Sequence, residues 1–405
     1  MAKEECDAET TPLLKKNFAC EKLDLCEDSL VKYQKAGVLD NPNNKIMGYN
    51  MAKLNGVHAL WYMKDSIFFN ARLWWTALAY TIICGCCAGL VLANRRAGYR
   101  FGRLSAAENI KTLEQISNYF AFVSAIMLGM YVSLSVSRWW EMRQCLNGLW
   151  NAINDIMLLL STRFPSKKDR PMKEKVLRLS LLSHRLLYAK ARKLEGPETF
   201  QGILDCGLIT PDEVEALKDE TAKAQVVWVW ISTILVQLKK SRRIDNIVLG
   251  TLEGLCSKAT NSILTSFSYI HTQIPFNYVH LLVTNVILAN FLLVAKCGFV
   301  IGGEEMHRRP NKFLFMAQLV ECIIVPLMYH AILGLACELE NPFGCDEVDF
   351  PCLSYHVIIR NECETFIRMG ESPPDTLLDV MEEGKLVAAQ DTDKKDEEEE
   401  DDEDE

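Results

Sequence analysis

The sequence predicts an all-α integral membrane protein, with four transmembrane helices per chain and a large helical domain outside the membrane. Four apolar runs are each long enough for a helix to cross a bilayer core, which takes about 20 residues. The stretch between the second and third runs has amphipathic helical patterns mixed with short charge runs. No segment shows a convincing alternation of apolar and polar residues, so we expect no strands.

The four predicted spans differ in how apolar they are. The first is the cleanest, and Trp74, Trp75 and Tyr80 near its start suit the interfacial belt of a membrane helix. The second ends at Arg138-Trp139-Trp140, which is again typical of an interface. We predict spans at about 71–93, 119–136, 274–301 and 313–337.

Polar residues interrupt the last two spans, and hydrocarbon penalises such groups unless they face protein or water. Two explanations remain open from the sequence. The helices enclose an aqueous path, or they hydrogen-bond to one another without one. The interrupting residues are Asn277, His280, Asn285, Asn290 and Lys296 in the third span and Glu321, Pro326 and His330 in the fourth.

Three parts of the chain are predicted along its length. Residues 1–45 read as a flexible polar arm, 46–370 as the main body and 371–405 as a disordered acidic tail. Within the body, 137–273 is the helical segment outside the membrane. Its apolar stretch 225–238 is too short to cross a bilayer, so we expect it to be a buried core helix.

Composition excludes several functions. The net charge of −9 comes from a run of acidic residues at 396–405, and the remaining chain is close to neutral. A nucleic-acid binder would need a basic face, so none is expected. The 15 cysteines form no paired CxxC set. No zinc-protease, phosphate-loop or nucleophile-elbow motif occurs, and we therefore do not expect an enzyme.

Three stretches of the chain carry motifs. The first is Gly129-Met130-Tyr131-Val132-Ser133-Leu134, which leads into Ser137-Arg138-Trp139-Trp140. The second is Thr272-Gln273-Ile274-Pro275, and the third is Glu340-Asn341-Pro342-Phe343-Gly344. In their order and spacing these stretches resemble the bestrophin family of anion channels, and the resemblance covers about 46–370.

The resemblance implies a homopentamer around a central pore, with an apolar constriction called the neck. The positions that match the neck are Phe122, Ile126 and Met130. Residues at this spacing lie on one face of a helix, in agreement with that role. Plain helix packing is the alternative explanation of the pattern. Val123 stands where animal members often have a proline. A second constriction, the cytosolic aperture, is expected at Ile247.

The stretch after the fourth span resembles the calcium clasp of animal bestrophins. Calcium prefers six to eight oxygen ligands. The resemblance assigns the carboxylates of Asp346 and Asp349, with backbone carbonyls of Glu338 and Asn341 and one near Tyr49. Cys345 and Val348 interrupt the acidic run of the family. The alternative is a helix-ending turn with solvated acidic residues.

The family topology places both termini in the cytosol, whereas the positive-inside rule would place the arginine-rich first loop there. We follow the family topology, because so large a soluble segment without a signal peptide is unlike a lumenal loop. We then expect copies of Arg95, Arg96, Arg100 and Arg103 to concentrate anions at the outer mouth. Solvated or headgroup-binding arginines are the alternative.

We therefore expect a pentameric channel for chloride and bicarbonate, gated at the neck and activated by cytosolic calcium. The alternative is a non-conducting membrane scaffold that regulates other channels. An ion-coupled transporter is a third option, suggested by the charged groups within the spans. The host is the plasma membrane or an endosomal or vacuolar membrane, since residues 9–14 resemble an acidic dileucine sorting signal.

Overall fold

The computed structural model describes residues 67–96, 103–194, 196–304, 311–344 and 349–374. Within these ranges the regular structure is helical and no strand occurs. Short 3-10 turns precede the first helix and the third. The α-helices are α1 (Ala71–Arg96), α2 (Arg103–Arg163), α3 (Arg170–Ala191), α4 (Pro197–Asp205), α5 (Pro211–Leu217), α6 (Lys223–Lys240), α7 (Asn246–His271), α8 (Phe276–Glu304), α9 (Lys312–Glu338) and α10 (Cys352–Glu371).

Four of these helices, α1, α2, α8 and α9, are long and apolar enough to cross a membrane. Each contains one of the four apolar runs of the sequence. The helix α2 is longer than its predicted span, with 61 residues. It has no proline, and charged residues at either end do not interrupt a helix outside the bilayer. Hydropathy therefore marks the crossing segment and not the ends of the helix.

The chain divides into two compact units whose segments alternate along the sequence. The first contains the described residues up to 147, 188–194 and those within 263–354, and therefore the membrane-crossing segments. The second contains 148–187, the described residues within 195–262 and those from 355 onward. Both α2 and α7 have residues in each unit.

In the first unit, α1 packs closely against α8. A methyl group built on Gly298 would lie 2.5 Å from the carbonyl oxygen of Cys84, and one on Gly302 would lie 2.8 Å from that of Ala88. Small residues allow membrane helices to approach in this way, since the helices gain their packing energy from close contact. Cys84, Cys297 and Cys322 join one buried cluster that links α1, α8 and α9.

In the second unit, the short apolar stretch predicted to be a core helix lies in α6. Its Trp228 is buried, and the indole nitrogen donates to Ser183 Oγ at 2.9 Å. The Ser183 hydroxyl in turn donates to the carbonyl oxygen of Ala224 at 2.7 Å. Both polar groups of this contact are thus satisfied inside the core, which avoids the cost of an unpaired buried group.

Buried polar contacts hold the helix α10 in place within the second unit. The ammonium of Lys173 is fully buried and donates to Glu371 Oε1 and to the carbonyl oxygen of Phe164, both at 3.0 Å. Near the middle of α10, Glu362 accepts from Trp150 at 2.7 Å and from Asn154 at 2.8 Å. These bonds fix the register of α10.

Two buried histidines face each other in this unit. The rings of His184 and His356 have centroids 6.1 Å apart. Burial, followed by the charge of Arg185, lowers the pKa of His184 to about 3. Burial also lowers the pKa of His356 well below its usual value, with further contributions from His184, Arg185 and Arg360. Both histidines are therefore neutral in the folded protein at neutral pH.

This pair predicts a loss of stability in mild acid. Because the folded pKa values are lowered, the unfolded chain binds more protons once the pH falls below about 6.5. The free energy of unfolding should then fall by about 1.4 kcal/mol per histidine for each pH unit, until the folded pKa is reached. Thermal unfolding of the detergent-solubilised protein between pH 7.5 and 5.5 measures this loss, in a range where most carboxylates stay ionised.

The matched control is the double variant His184→Gln/His356→Gln, which keeps polar side chains of similar size and removes both titrating groups. Its unfolding temperature should change less with pH than that of the parent. Equal pH dependence of parent and double variant would contradict the assignment.

Candidate functional site

The predicted neck residues form an exposed apolar stripe on α2, called the neck stripe. Phe122, Ile126 and Met130 are 66%, 50% and 56% exposed, respectively. Large apolar side chains this exposed need a covering by lipid, another protein surface or a dry constriction. The stripe therefore marks a face that the described part of the chain does not cover.

The opposite face of α2 is buried. Ser124, Leu128, Tyr131 and Ser135 are each at most 3% exposed. A residue two positions further along a helix lies about 200° around the axis, so Ser124 points away from Phe122. Leu128 and Tyr131 pack with Leu282, Val286 and Ala336, from α8 and α9. The neck stripe is thus exposed because the other side of α2 packs on these helices.

Hydrogen bonds join this buried face to α8 and α9. Asn285 Nδ2 donates to Ser124 Oγ at 2.7 Å and lies 3.4 Å from the carbonyl oxygen of Phe120. The hydroxyl of Tyr329 donates to the carbonyl oxygen of Ala121 at 3.0 Å. The hydroxyl of Tyr278 donates to that of Met127 at 2.8 Å.

Beyond the neck stripe, Arg138 caps the end of α7. Its guanidinium donates to the carbonyl oxygens of Thr272 at 2.7 Å and of Tyr269 at 2.8 Å. The last carbonyls of a helix lack partners within the helix and carry its negative end charge. Arg138 therefore joins α2 to the connection that leads into α8.

The loop after α9 is attached to α2 by aromatic contacts. Phe343 and Phe350 are buried and pack edge to face, with ring centroids 5.6 Å apart. Phe350 also lies 5.1 Å from the ring of Trp139, nine positions after Met130 on α2. The carbonyl oxygen of Phe343 accepts from Arg192 at 2.7 Å. Because of these contacts, a movement of this loop would also displace the part of α2 that it touches.

Two of the expected clasp residues converge in this loop. A methyl group built on Gly344 would lie 2.6 Å from Asp349 Oδ2 and 3.5 Å from the carbonyl oxygen of Asn341. The amide nitrogen of Phe350 donates to the carbonyl oxygen of Pro342 at 2.7 Å, which closes the loop. One carboxylate oxygen and one carbonyl oxygen, both of a kind that binds calcium, thus lie next to Gly344. The carbonyl oxygen of Asn341 also accepts from the amide nitrogen of Gly344 at 3.3 Å.

The other clasp residues are placed less completely. Glu338 is the last residue of α9. Tyr49 and Asp346 lie outside the described residues. In the part of the chain that the structure describes, no group of three or more His, Cys, Asp and Glu side chains is arranged to hold a metal ion. The described residues thus fit part of a calcium site, built on oxygens of one short loop.

The remaining predicted positions are Ile247 and the four arginines. Ile247 is in the first turn of α7 and is 81% exposed. Asp245 caps this turn by accepting from the amide nitrogen of Val248 at 2.7 Å. Arg95 and Arg96 end α1 and Arg103 begins α2, but their side chains, like the whole of Arg100, lie outside the description.

An ion pair connects α8 and α9 within the predicted spans. Lys296 Nζ lies 2.8 Å and 3.0 Å from the two carboxylate oxygens of Glu321. Gln318 Nε2 donates to the same carboxylate at 3.0 Å. The lysine side chain is 10% exposed and the glutamate side chain 32%. Two charges that interrupt separate apolar runs of the sequence are therefore partners.

Sequence reasoning noticed Asn285, Lys296 and Glu321 as polar interruptions but assigned them no partners. It did not single out Ser124, Tyr278 or Tyr329. A serine within the second apolar run was the available signal, because a hydroxyl at membrane depth needs a partner. The partner itself depends on how the helices pack.

Comparison with known proteins places this architecture in a family. The family profile described as "Bestrophin, RFP-TM, chloride channel" matches residues 73–366. The chain is 25% identical over 235 residues to bestrophin homolog 5 of Caenorhabditis elegans, covering 56% of this chain and 50% of that protein. It is 23% identical over 299 residues to mouse bestrophin-2, covering 70% of this chain and 57% of that protein.

The solved structures give the same result for the fold. The crystal structure of a bacterial bestrophin homolog from Klebsiella pneumoniae matches with a TM-score of 0.58 and 17% identity. The match covers 72% of this chain and 97% of the bacterial chain. This chain thus belongs to the bestrophin family, a family of chloride channels. It spans about half the length of the curated relatives it matches.

The ion pair between α8 and α9 gives a test of the packing. Replacing Lys296 with methionine leaves the Glu321 carboxylate without its counter-ion. Breaking a buried pair in this way costs about 3 kcal/mol or more, and less where the carboxylate keeps some solvent. We expect Lys296→Met to lower the unfolding temperature of the detergent-solubilised protein. The double variant Lys296→Met/Glu321→Gln, which removes both charges, should recover most of that loss. A double variant less stable than the single one would contradict the pairing.

Proposed function

We propose that the protein is a pentameric channel for small anions, chloride and bicarbonate, with the neck stripe lining its narrowest part. The observation that carries the proposal is the exposed stripe of Phe122, Ile126 and Met130 opposite a buried, hydrogen-bonded face of α2. Membership of a chloride channel family supports it. Five copies of the stripe would form three stacked apolar rings.

Such rings control ion conduction by excluding or admitting water. A narrow apolar constriction holds no stable water column, so an ion that enters would lose its hydration without compensation. The rings therefore block ions until they widen and become wet. We further propose that copies of Arg95, Arg96, Arg100 and Arg103 raise the anion concentration at the outer mouth, and that Ile247 forms a second constriction at the cytosolic exit.

We also propose that cytosolic calcium controls the neck through the loop after α9. When bound, calcium would supply positive charge to the oxygens of Asp349 and Asn341, together with Asp346, Glu338 and a carbonyl near Tyr49. The contact between Phe350 and Trp139 supports this coupling, since it connects the loop to α2. In this arrangement both termini lie in the cytosol, and the host is the plasma membrane or an endosomal or vacuolar membrane.

The direct test of conduction uses purified protein in a planar bilayer under a chloride gradient. We expect a reversal potential near that of chloride. Ile126→Ala removes bulk from one ring of every copy and should raise the calcium-free current by about tenfold or more, equivalent to a barrier lowered by roughly 1.4 kcal/mol. Ile82→Ala, which shortens an exposed apolar side chain of α1 by the same change, is the matched control and should leave the current unchanged.

Two results would count against the channel. A reversal potential that follows the cation gradient would exclude anion selectivity. Absence of current from intact pentamers, in the parent and in Ile126→Ala, would favour the alternative of a non-conducting scaffold that regulates other channels.

Calcium control has its own test. Asp349→Asn removes a ligand charge, and Gly344→Ala places a methyl group against the Asp349 carboxylate. Each should raise the calcium concentration for half-maximal current by about tenfold or more, or roughly 1.4 kcal/mol of binding free energy. The control Asp212→Asn removes an exposed carboxylate on α5 and should have no effect. A parent current that does not change with the calcium concentration would support the channel and exclude the calcium clasp.

A further inference from the structure

Three side chains of α8 and α9 bond to the same short stretch of α2 that carries Phe122 and Ile126. We call Tyr278, Asn285 and Tyr329 the brace. Their acceptors lie at residues 120–127 of α2. No other part of α2 in the first unit has this density of described bonds from the other spans. The brace therefore lies directly behind the neck stripe.

The bonds are ordered along the helix. On α8, Tyr278 and Asn285 are seven positions apart, which is about two turns, or roughly 10 Å. Their acceptors run in the opposite direction on α2, from Met127 to Ser124 and Phe120. Tyr329 of α9 adds a bond to Ala121 between them. Bonds at successive heights from two helices resist both sliding and rotation of α2.

Apolar packing alone would resist rotation of α2 less than these hydrogen bonds do. Side chains such as Leu128 and Leu282 can exchange one apolar neighbour for another at small cost when a helix turns. A tyrosine hydroxyl or an amide at membrane depth has no water to replace a lost partner. Because Ser124 is fully buried, its bond to Asn285 is also shielded from competing water.

We propose that Tyr278, Asn285 and Tyr329 are positioning residues that set the rotation of α2 and thereby hold the neck stripe in its closed orientation. The proposal rests on the proposed function of the stripe as the neck. Opening requires α2 to turn or bend away from the stripe's resting direction, and the brace bonds lengthen when it does. Loosening the brace favours the open neck.

Single bonds between membrane helices have modest strength. Measured cases average about 0.6 kcal/mol, which is a change of about threefold in an equilibrium constant. We expect about this change per copy, and a larger one in an assembly whose copies open together. A change of this size is measurable and leaves the fold intact.

The test compares variants that remove brace bonds, each made in the unaltered chain and in a parent carrying Ile126→Cys. Tyr329→Phe removes only a hydroxyl. Ser124→Ala removes the acceptor of one bond, and Asn285→Leu removes its donor together with the contact to the carbonyl oxygen of Phe120. Tyr80→Phe is the matched control, because the Tyr80 hydroxyl lies 3.3 Å from His330 Nε2 and not on α2. Ser124→Thr keeps the hydroxyl and serves as the conservative rescue.

Two readouts are taken from purified assemblies. The calcium-free anion current is measured in the unaltered chain. The rate at which a water-soluble methanethiosulfonate modifies the cysteine at position 126 is measured in the Ile126→Cys parent by peptide mass spectrometry. We expect the bond-removing variants to raise both by about threefold or more. Tyr80→Phe and Ser124→Thr should leave both unchanged. Ser124→Ala and Asn285→Leu combined should act little more than Asn285→Leu alone, since both remove the bond between Ser124 and Asn285.

The two proposals fail separately. One result overturns the brace alone. If the cysteine at position 126 is modified no faster in the bond-removing variants than in Tyr80→Phe, while the parent conducts chloride, the brace is wrong and the channel stands. If the parent conducts no anion but the modification rate at position 126 still rises in those variants, the brace sets the orientation of α2 but the channel, and with it the closed neck, is wrong.

Discussion

Polar side chains within the spans need partners inside the protein, because hydrocarbon offers none. In this chain the need is met by contacts between helices: Asn285 with Ser124, the two tyrosines with carbonyls of α2, and Lys296 with Glu321. These contacts decide which face of α2 is buried. The exposure of Phe122, Ile126 and Met130 is a consequence, since they lie on the opposite face.

The same constraint explains why the fold persists where residue identities do not. The bacterial homolog shares only 17% of its residues with this chain, yet the match covers nearly all of its length. A membrane bundle depends on span length, on small residues where helices cross, and on partners for its polar groups. Different residues can satisfy each of these, as Gly298 and Gly302 do against α1 here.

The neck and the loop after α9 belong to one continuous set of contacts in the first unit. Met130 is followed on α2 by Arg138, which caps α7, and by Trp139, which packs on Phe350. Phe350 follows Asp349, whose carboxylate faces Gly344 and the carbonyl of Asn341. The loop thus contacts directly the helix that carries the neck stripe.

Much of this could be predicted from the sequence. The spans follow from the thickness of the bilayer, and the neck stripe from the helical spacing of 122, 126 and 130 together with the family motifs. The pairing of Lys296 with Glu321 could not, because the residues lie on separate helices and their contact depends on the register between α8 and α9. The bond of Asn285 to Ser124 is hidden for the same reason. The full length of α2 could not be predicted either, since hydropathy reports the crossing segment alone.

The most direct test of the account is a high-resolution reconstruction of the purified assembly in a lipid nanodisc. The account predicts five copies around one axis, with Phe122, Ile126 and Met130 pointing at that axis and Asn285 still bonded to Ser124 behind them. An assembly in which these three side chains face lipid, or pack against the helix of a neighbouring copy away from any axis, would contradict it.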